Sequence, residues 1–139
     1  RAVSAAVENR ATQRTGAMAN PVVHWEFWSD DPSACGDFYR EAFGWNVRAV
    51  PEIDYTVVES GEERGIGGGI MKPQAGPWPA KLALYIDVED LAAARQNITD
   101  AGGKILVEEQ VVPNVGSFCL FEDPDGRVLG CWKQAPRPG

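Results

Sequence analysis

The sequence predicts an α+β protein assembled from one strand–helix–three-strand (βαβββ) unit used twice. Three observations carry this expectation. Val23-His24-Trp25-Glu26-Phe27-Trp28 reads as a strand, and it is followed by a capped helix that stops at Gly44. The same pattern returns 59 residues later, with Asp31 answered by Asp90 and Gly44 by Gly103. Between the two copies lies Pro73-Gln74-Ala75-Gly76-Pro77-Trp78-Pro79, a run of breakers that places the boundary near residue 76. Repetition of this kind marks a supersecondary unit that was duplicated.

Each element has a local reason. The first strand alternates and is rich in aromatic and β-branched residues, which suit a pleated, half-buried surface. Asp31 can cap the orphan amides of a helix over 32–43, and Pro32 fits its first position because it has no amide to satisfy. Phe38, Tyr39, Ala42 and Phe43 fall at helical spacing. Strand-like pieces follow at 47–50, 55–59 and 66–72. In the second unit, 82–88 alternates, Asp90 caps, and Leu91, Ala94, Ile98 and Ala101 form the apolar stripe of a helix over 90–101. Strands are expected at 105–108, 117–122 and 128–133, with Asp123-Pro124-Asp125-Gly126 turning the last hairpin.

Composition sets limits on function. The chain has 139 residues, 44% of them hydrophobic, enough for one domain of two units sharing a core. A net charge of −7 with no cluster of Lys and Arg argues against nucleic acid. No apolar segment approaches the roughly 20 residues that cross a bilayer, so no membrane partner is expected. The three cysteines show no CxxC spacing, and reduced thiols in a cytoplasmic protein are the simplest account. Residues 1–17 stand outside the repeat and are expected to be a dispensable N-terminal extension. The units then run over 18–76 and 77–139. Pairing of the two, within the chain or across a homodimer, is expected to cover their strand edges.

Two stretches carry a family resemblance. Asp30-Asp31-Pro32, leading to Phe38-Tyr39-Arg40-Glu41-Ala42-Phe43-Gly44-Trp45, is one; Phe121-Glu122-Asp123-Pro124-Asp125-Gly126, leading to Val128-Leu129-Gly130, is the other. Together they resemble the glyoxalase / bleomycin-resistance / extradiol-dioxygenase superfamily, the vicinal oxygen chelate proteins, over about residues 21–134. The resemblance implies paired βαβββ units whose sheets curl around a cup with the site inside. It does not imply one reaction, because members range from isomerases, lyases and dioxygenases to proteins that only sequester a drug.

Residues two apart on a strand share a face, so His24, Glu26 and Trp28 point one way. The repeat matches them with Ala83, Tyr85 and Asp87. In metal-using relatives the His24 position and its symmetry mate hold ligands, and a last-strand position in each unit adds a carboxylate or amide. Here the mate is Ala83, and the last-strand positions fall near Gly69 and at Gly130, the latter by matching Asp123–Gly130 to the family's DPxGNxxE pattern. None of the three has a donor side chain. His24 is the only surviving ligand position, and Glu26 sits about 7 Å along the strand from it. Catalytic zinc takes three protein ligands and a water. The expectation is therefore no metal and no cofactor, which weakens the lactoylglutathione lyase and dioxygenase readings.

His24 and Glu26 are the candidate catalytic pair. Two readings of His24 stand side by side: a hydrogen-bonded core residue, or a neutral imidazole that moves protons near neutral pH. Glu26 can orient it, act as a base, or sit at the rim. Tyr85 and Asp87 across the pseudo-twofold, with Trp28 and Trp132 as stacking faces, are the candidate ligand-binding residues. Asp87 has a second reading as a helix cap, and Trp78 as a packed linker residue. The glycine run 65–69 lacks the Lys-Ser/Thr and the helix of a phosphate loop and reads as close strand packing. Two functions follow: acid–base chemistry of the isomerase, epimerase or lyase type on a small oxygenated or aromatic molecule, or sequestration of such a molecule without turnover. A structural or regulatory partner domain is a third.

Overall fold

The computed structural model describes residues 19–59, 61, 65–78 and 81–136. The extension expected over residues 1–17 lies outside the described residues. The first unit contains strand β1 (Val22–Trp28), helix α1 (Pro32–Phe43), β2 (Asn46–Val50), a short 3-10 turn at Pro51–Ile53, β3 (Tyr55–Glu59) and β4 (Gly68–Met71). The second contains β5 (Leu82–Asp87), α2 (Leu91–Asp100), β6 (Lys104–Val112), β7 (Gly116–Glu122) and β8 (Val128–Gln134). All eight strands form one curled, unclosed sheet in the order β2-β3-β4-β1-β5-β8-β7-β6.

The two units meet inside the chain. β1 and β5 pair antiparallel, with His24 opposite Tyr85, Trp25 opposite Leu84 and Glu26 opposite Ala83. Trp25 and Leu84 are repeat equivalents, so the pseudo-twofold axis passes between them. Each unit then adds its last strand in parallel: Glu26 lies beside Gly69 on β4, and Tyr85 beside Gly130 on β8. Among the described residues, β2 and β6 are left as the free edges.

The caps form as the side-chain chemistry requires. Asp31 Oδ1 accepts from the Ala34 amide and Asp90 Oδ1 from the Ala93 amide, each satisfying one orphan donor of the first turn. Gly44 closes α1 in the left-handed region at φ 71°. The second helix departs from strict repetition. Its left-handed residue is Gly102, at φ 100°, and Gly103 only returns its amide to Ile98. The turn at Asp123–Gly126 closes β7 onto β8, with the Asp123 carboxylate accepting from the amides of Asp125 and Arg127.

The convex face differs between units. Under α2, Val88, Leu91, Cys119, Phe121 and Cys131 form a buried cluster. Cys119 and Cys131 are free thiols directly opposite each other on β7 and β8. Their mutual hydrogen bond holds Cys119 below, and Cys131 above, the ordinary thiol range. Under α1 only Gly36 of the helix is buried, and a Cβ there would meet Val47 at 2.8 Å. Phe38 and Phe43 remain exposed beside a run of rings, Trp25, Phe27, Tyr39 and Trp45.

Candidate functional site

The concave face encloses a cavity of about 700 Å³, within the range of small-molecule sites. Its walls come from β1, β3, β4, β5, β6, β7 and β8 and from the linker between the units. Trp78, Phe118 and Trp132 make one aromatic wall, with Phe118 5.7 Å from Trp78 and 6.4 Å from Trp132 between ring centroids. Ile53, Val57, Met71 and Val112 add apolar surface. Polar groups are few: His24, Glu26, Tyr55, Tyr85, Asp87 and three glutamines. Among the described lining residues there is no Lys or Arg.

Glu26 is the centre of the polar floor. It is only 6% exposed, the one charged side chain so buried among the described residues. Strand parity turns it into the cup, and its neighbours then converge on it. The Tyr55 hydroxyl donates to Oε2 at 2.8 Å, while Tyr85 and the Trp28 indole N–H donate to Oε1 at 3.2 and 3.0 Å. Three donors on two oxygens suit an ionised carboxylate, which has only acceptors to offer, and hydrogen bonds to a charged group contribute about 1.5–3 kcal/mol each. Burial and the adjacent Glu26 carboxylate push both tyrosine hydroxyls well above their ordinary value, so they stay protonated donors.

Two glycines make this convergence possible. Gly69 and Gly130 lie directly beside Glu26 and Tyr85 on the neighbouring strands. A Cβ on Gly69 would collide with the Tyr55 ring and hydroxyl, and one on Gly130 would come within 2.5 Å of the Tyr85 ring. At both positions, where the family resemblance implied a ligand side chain, the space is filled by a tyrosine ring.

His24 completes the network. Its Nε2 lies 2.8 Å from the Tyr55 oxygen, and its ring is flanked by Tyr55 and Tyr85 at 6.3 and 5.8 Å. Tyr55 donates its one hydroxyl proton to Glu26, and the imidazole tautomer sets which partner donates in the contact with Nε2. Burial lowers the pKa of His24, keeping the ring neutral. Nδ1 has no partner among the described residues.

The six residues singled out from sequence fall as follows. His24, Glu26, Tyr85, Asp87 and Trp132 line the cavity. Trp28 has the right parity but lies beneath the lining, 9% exposed, packed on Trp78 at 5.5 Å and bonded to Glu26. Asp90, not Asp87, caps α2. Sequence reasoning missed Tyr55 and Phe118, which occupy corresponding places in the two units. Strand parity alone did not place them: Tyr55 faces the cup because Val57, two residues on, pairs with Gly69, a register set by the folded sheet. Trp78 both packs in the linker and walls the cavity.

These side chains do not fit a divalent metal. Ala83, Gly69 and Gly130 offer no donor, and both Glu26 oxygens and His24 Nε2 are already engaged. No group of three or more His, Cys, Asp or Glu placed to hold an ion occurs among the described residues.

Known proteins share this architecture. A methylmalonyl-CoA epimerase from Mycobacterium tuberculosis superposes with a TM-score of 0.64 over 84% of this chain and 89% of that one, at 13% identity. A glyoxalase/bleomycin resistance protein/dioxygenase superfamily member from Vibrio splendidus 12B01 gives 0.58 over 84% and 100%, at 16% identity. At such identities the likeness concerns the fold alone. In sequence, the chain is 28% identical over 115 residues to a Mycobacterium tuberculosis protein that bears a glyoxylase name, CFP32. That alignment takes in 81% of this chain but only 43% of the relative, so the chain spans less than half of the curated protein it matches. A sequence model of the Glyoxalase/Bleomycin resistance protein/Dioxygenase superfamily matches residues 22–129. Since that match runs through both units and both flanks of the cup, the chain belongs to this superfamily.

Proposed function

We propose that the protein binds a compact, largely aromatic small molecule, neutral or cationic, in the cup, without a transition metal. The observation that carries this reading is the charge pattern of an aromatic-walled cavity: two carboxylates, Asp87 and Glu26, reach it, and no cation does among the described residues. An anion entering it would lose water and meet like charge. A cation would gain from Asp87 and from the faces of Trp78 and Trp132. This separates the chain from any relative whose ligand carries phosphates or carboxylates, whatever the likeness of fold. In this reading Trp132, Phe118 and Trp78 hold the flat part of the ligand, and Glu26 organises the floor.

Quenching of tryptophan fluorescence by 1-naphthol, 1-naphthylmethylammonium and 1-naphthoate tests it. The first two should bind, the naphthoate should not, and a chelator should change nothing. Preferential binding of the naphthoate, or binding that requires added metal, would sink the reading.

A second reading, turnover by proton transfer, is favoured by the bare Nδ1 of His24 and the carboxylate that backs it through Tyr55. Isomerase- or epimerase-type chemistry fits a single imidazole working as both base and acid. A ligand recovered unchanged, without deuterium uptake after long incubation in deuterated water, would favour sequestration. A homodimer belongs to the same proposal, because β2 and β6 have unpaired edges among the described residues; light scattering at micromolar concentration decides it.

A further inference from the structure

We infer that Tyr55 and Glu26 lock His24 in the Nε2–H tautomer, so that the floor of the cup presents a bare Nδ1 and selects ligands that bring an O–H or N–H donor to it. The inference rests on the cup being the ligand site, and it adds the chemistry that site demands.

The argument is one of counting protons. Glu26 already takes donors from Tyr55, Tyr85 and Trp28, so the Tyr55 proton has an acceptor and no reason to turn away. The Tyr55 oxygen, 2.8 Å from His24 Nε2, is then left as an acceptor. A neutral imidazole has one N–H, and the shared contact fixes it on Nε2. Turning the tautomer over would set the Nε2 lone pair against the Tyr55 oxygen, unless that hydroxyl abandoned Glu26.

The other nitrogen is open. Every fully buried side-chain nitrogen and oxygen among the described residues has a hydrogen-bond partner, whereas Nδ1 has none there. Nδ1 therefore keeps accessible surface, on a residue that lines the cavity. At the floor both Glu26 oxygens already take donors and the Tyr55 oxygen faces His24, so the Tyr85 oxygen is the one other acceptor of this network beside Nδ1. A ligand that places a hydroxyl or amine proton at Nδ1 completes a chain of donors running from ligand to His24 to Tyr55 to Glu26. A ligand with an ether or carbonyl oxygen there meets a lone pair and strips water from it without replacement.

His24 is the only histidine in the chain, so its ring nitrogens can be read without assignment ambiguity. Long-range proton–nitrogen spectra of the 15N-labelled protein above pH 7 should show Nε2 protonated and Nδ1 bare. Tyr85→Phe should leave that pattern intact, because the hydroxyl it removes bonds Glu26 and not His24. Tyr55→Phe should mix the tautomers. 1-Naphthol should bind about tenfold more tightly than 1-methoxynaphthalene, the size of one hydrogen bond, and Tyr55→Phe should shrink that ratio. A wild-type ring protonated on Nδ1, or equal affinity for naphthol and its methyl ether, would overturn the inference. Failure of both probes to bind would instead overturn the ligand reading of the cup, while the spectra still judge the tautomer.

Discussion

The ring of Tyr55 occupies the space that a side chain on Gly69 would need, and this one exclusion places the Tyr55 hydroxyl on Glu26. A methyl group at residue 69 forces the ring aside. Overpacking of this kind costs about 1–3 kcal/mol. Gly69→Ala should therefore lower the urea midpoint, and the same change made in a Tyr55→Leu background should cost clearly less. Equal costs in the two backgrounds would show that the strain lies elsewhere.

Glu26 can be tested through its charge alone. Glu26→Gln keeps the volume but brings an amide N–H₂ against three donors that need acceptors. The expected loss is about 2–4 kcal/mol, from weakened hydrogen bonds and one donor facing another. Denaturant unfolding measures it. A loss below about 0.5 kcal/mol would mean that the network contributes nothing net to the fold.

Acid should act on stability through His24. Its pKa is lowered in the folded protein by burial, so between the folded and unfolded values the unfolded chain binds the extra proton. The contribution is complete above the ordinary value of 6.5 and is lost as the pH falls through and below it. The other ionisable groups at this floor are Glu26, Tyr55, Tyr85 and Asp87. From about pH 7.5 to about pH 5.5 the wild type should lose more stability than His24→Gln, which has nothing to titrate there. Parallel pH profiles would refute the burial of the imidazole.

Alkali provides the complementary reading. Tyr55 and Tyr85 both have raised pKa values, from burial first and the Glu26 carboxylate second. Their stabilising effect is fully present below the unfolded value of about 10 and is lost progressively as the pH rises above it toward their raised folded values. Of the three tyrosines in the chain, these two should ionise only as the protein unfolds. Difference absorbance at the phenolate band, followed beside circular dichroism, tests this. Ionisation of all three before any loss of secondary structure would contradict it.

Much of the fold was written locally. Asp31, Pro32 and Gly44 bound the first helix because a carboxylate cap, a missing amide and a left-handed residue each act within one turn of chain. Period-2 alternation put His24, Glu26 and Trp28 on one face, since neighbouring side chains on a strand must point oppositely. The repeat made the second unit predictable from the first, save for the stop at Gly102, where a one-residue shift costs little because Gly103 follows. The absence of donors at Ala83, Gly69 and Gly130 was equally plain, because a missing side chain needs no structure to be seen.

Tertiary structure decided the rest. Tyr55 meets Glu26 only because β3, β4 and β1 lie side by side in one register, and no local pattern states which strands become neighbours. Trp28 passed the parity test yet sits beneath the cup, since alternation gives a direction and not a depth. The sequence by itself determined the two units and their caps, consequences of short-range geometry, and the lack of donor side chains at Ala83, Gly69 and Gly130. Only the folded sheet decided that tyrosine rings would fill those vacancies and close on a buried carboxylate, because that depends on contacts between residues 29 and 59 positions apart.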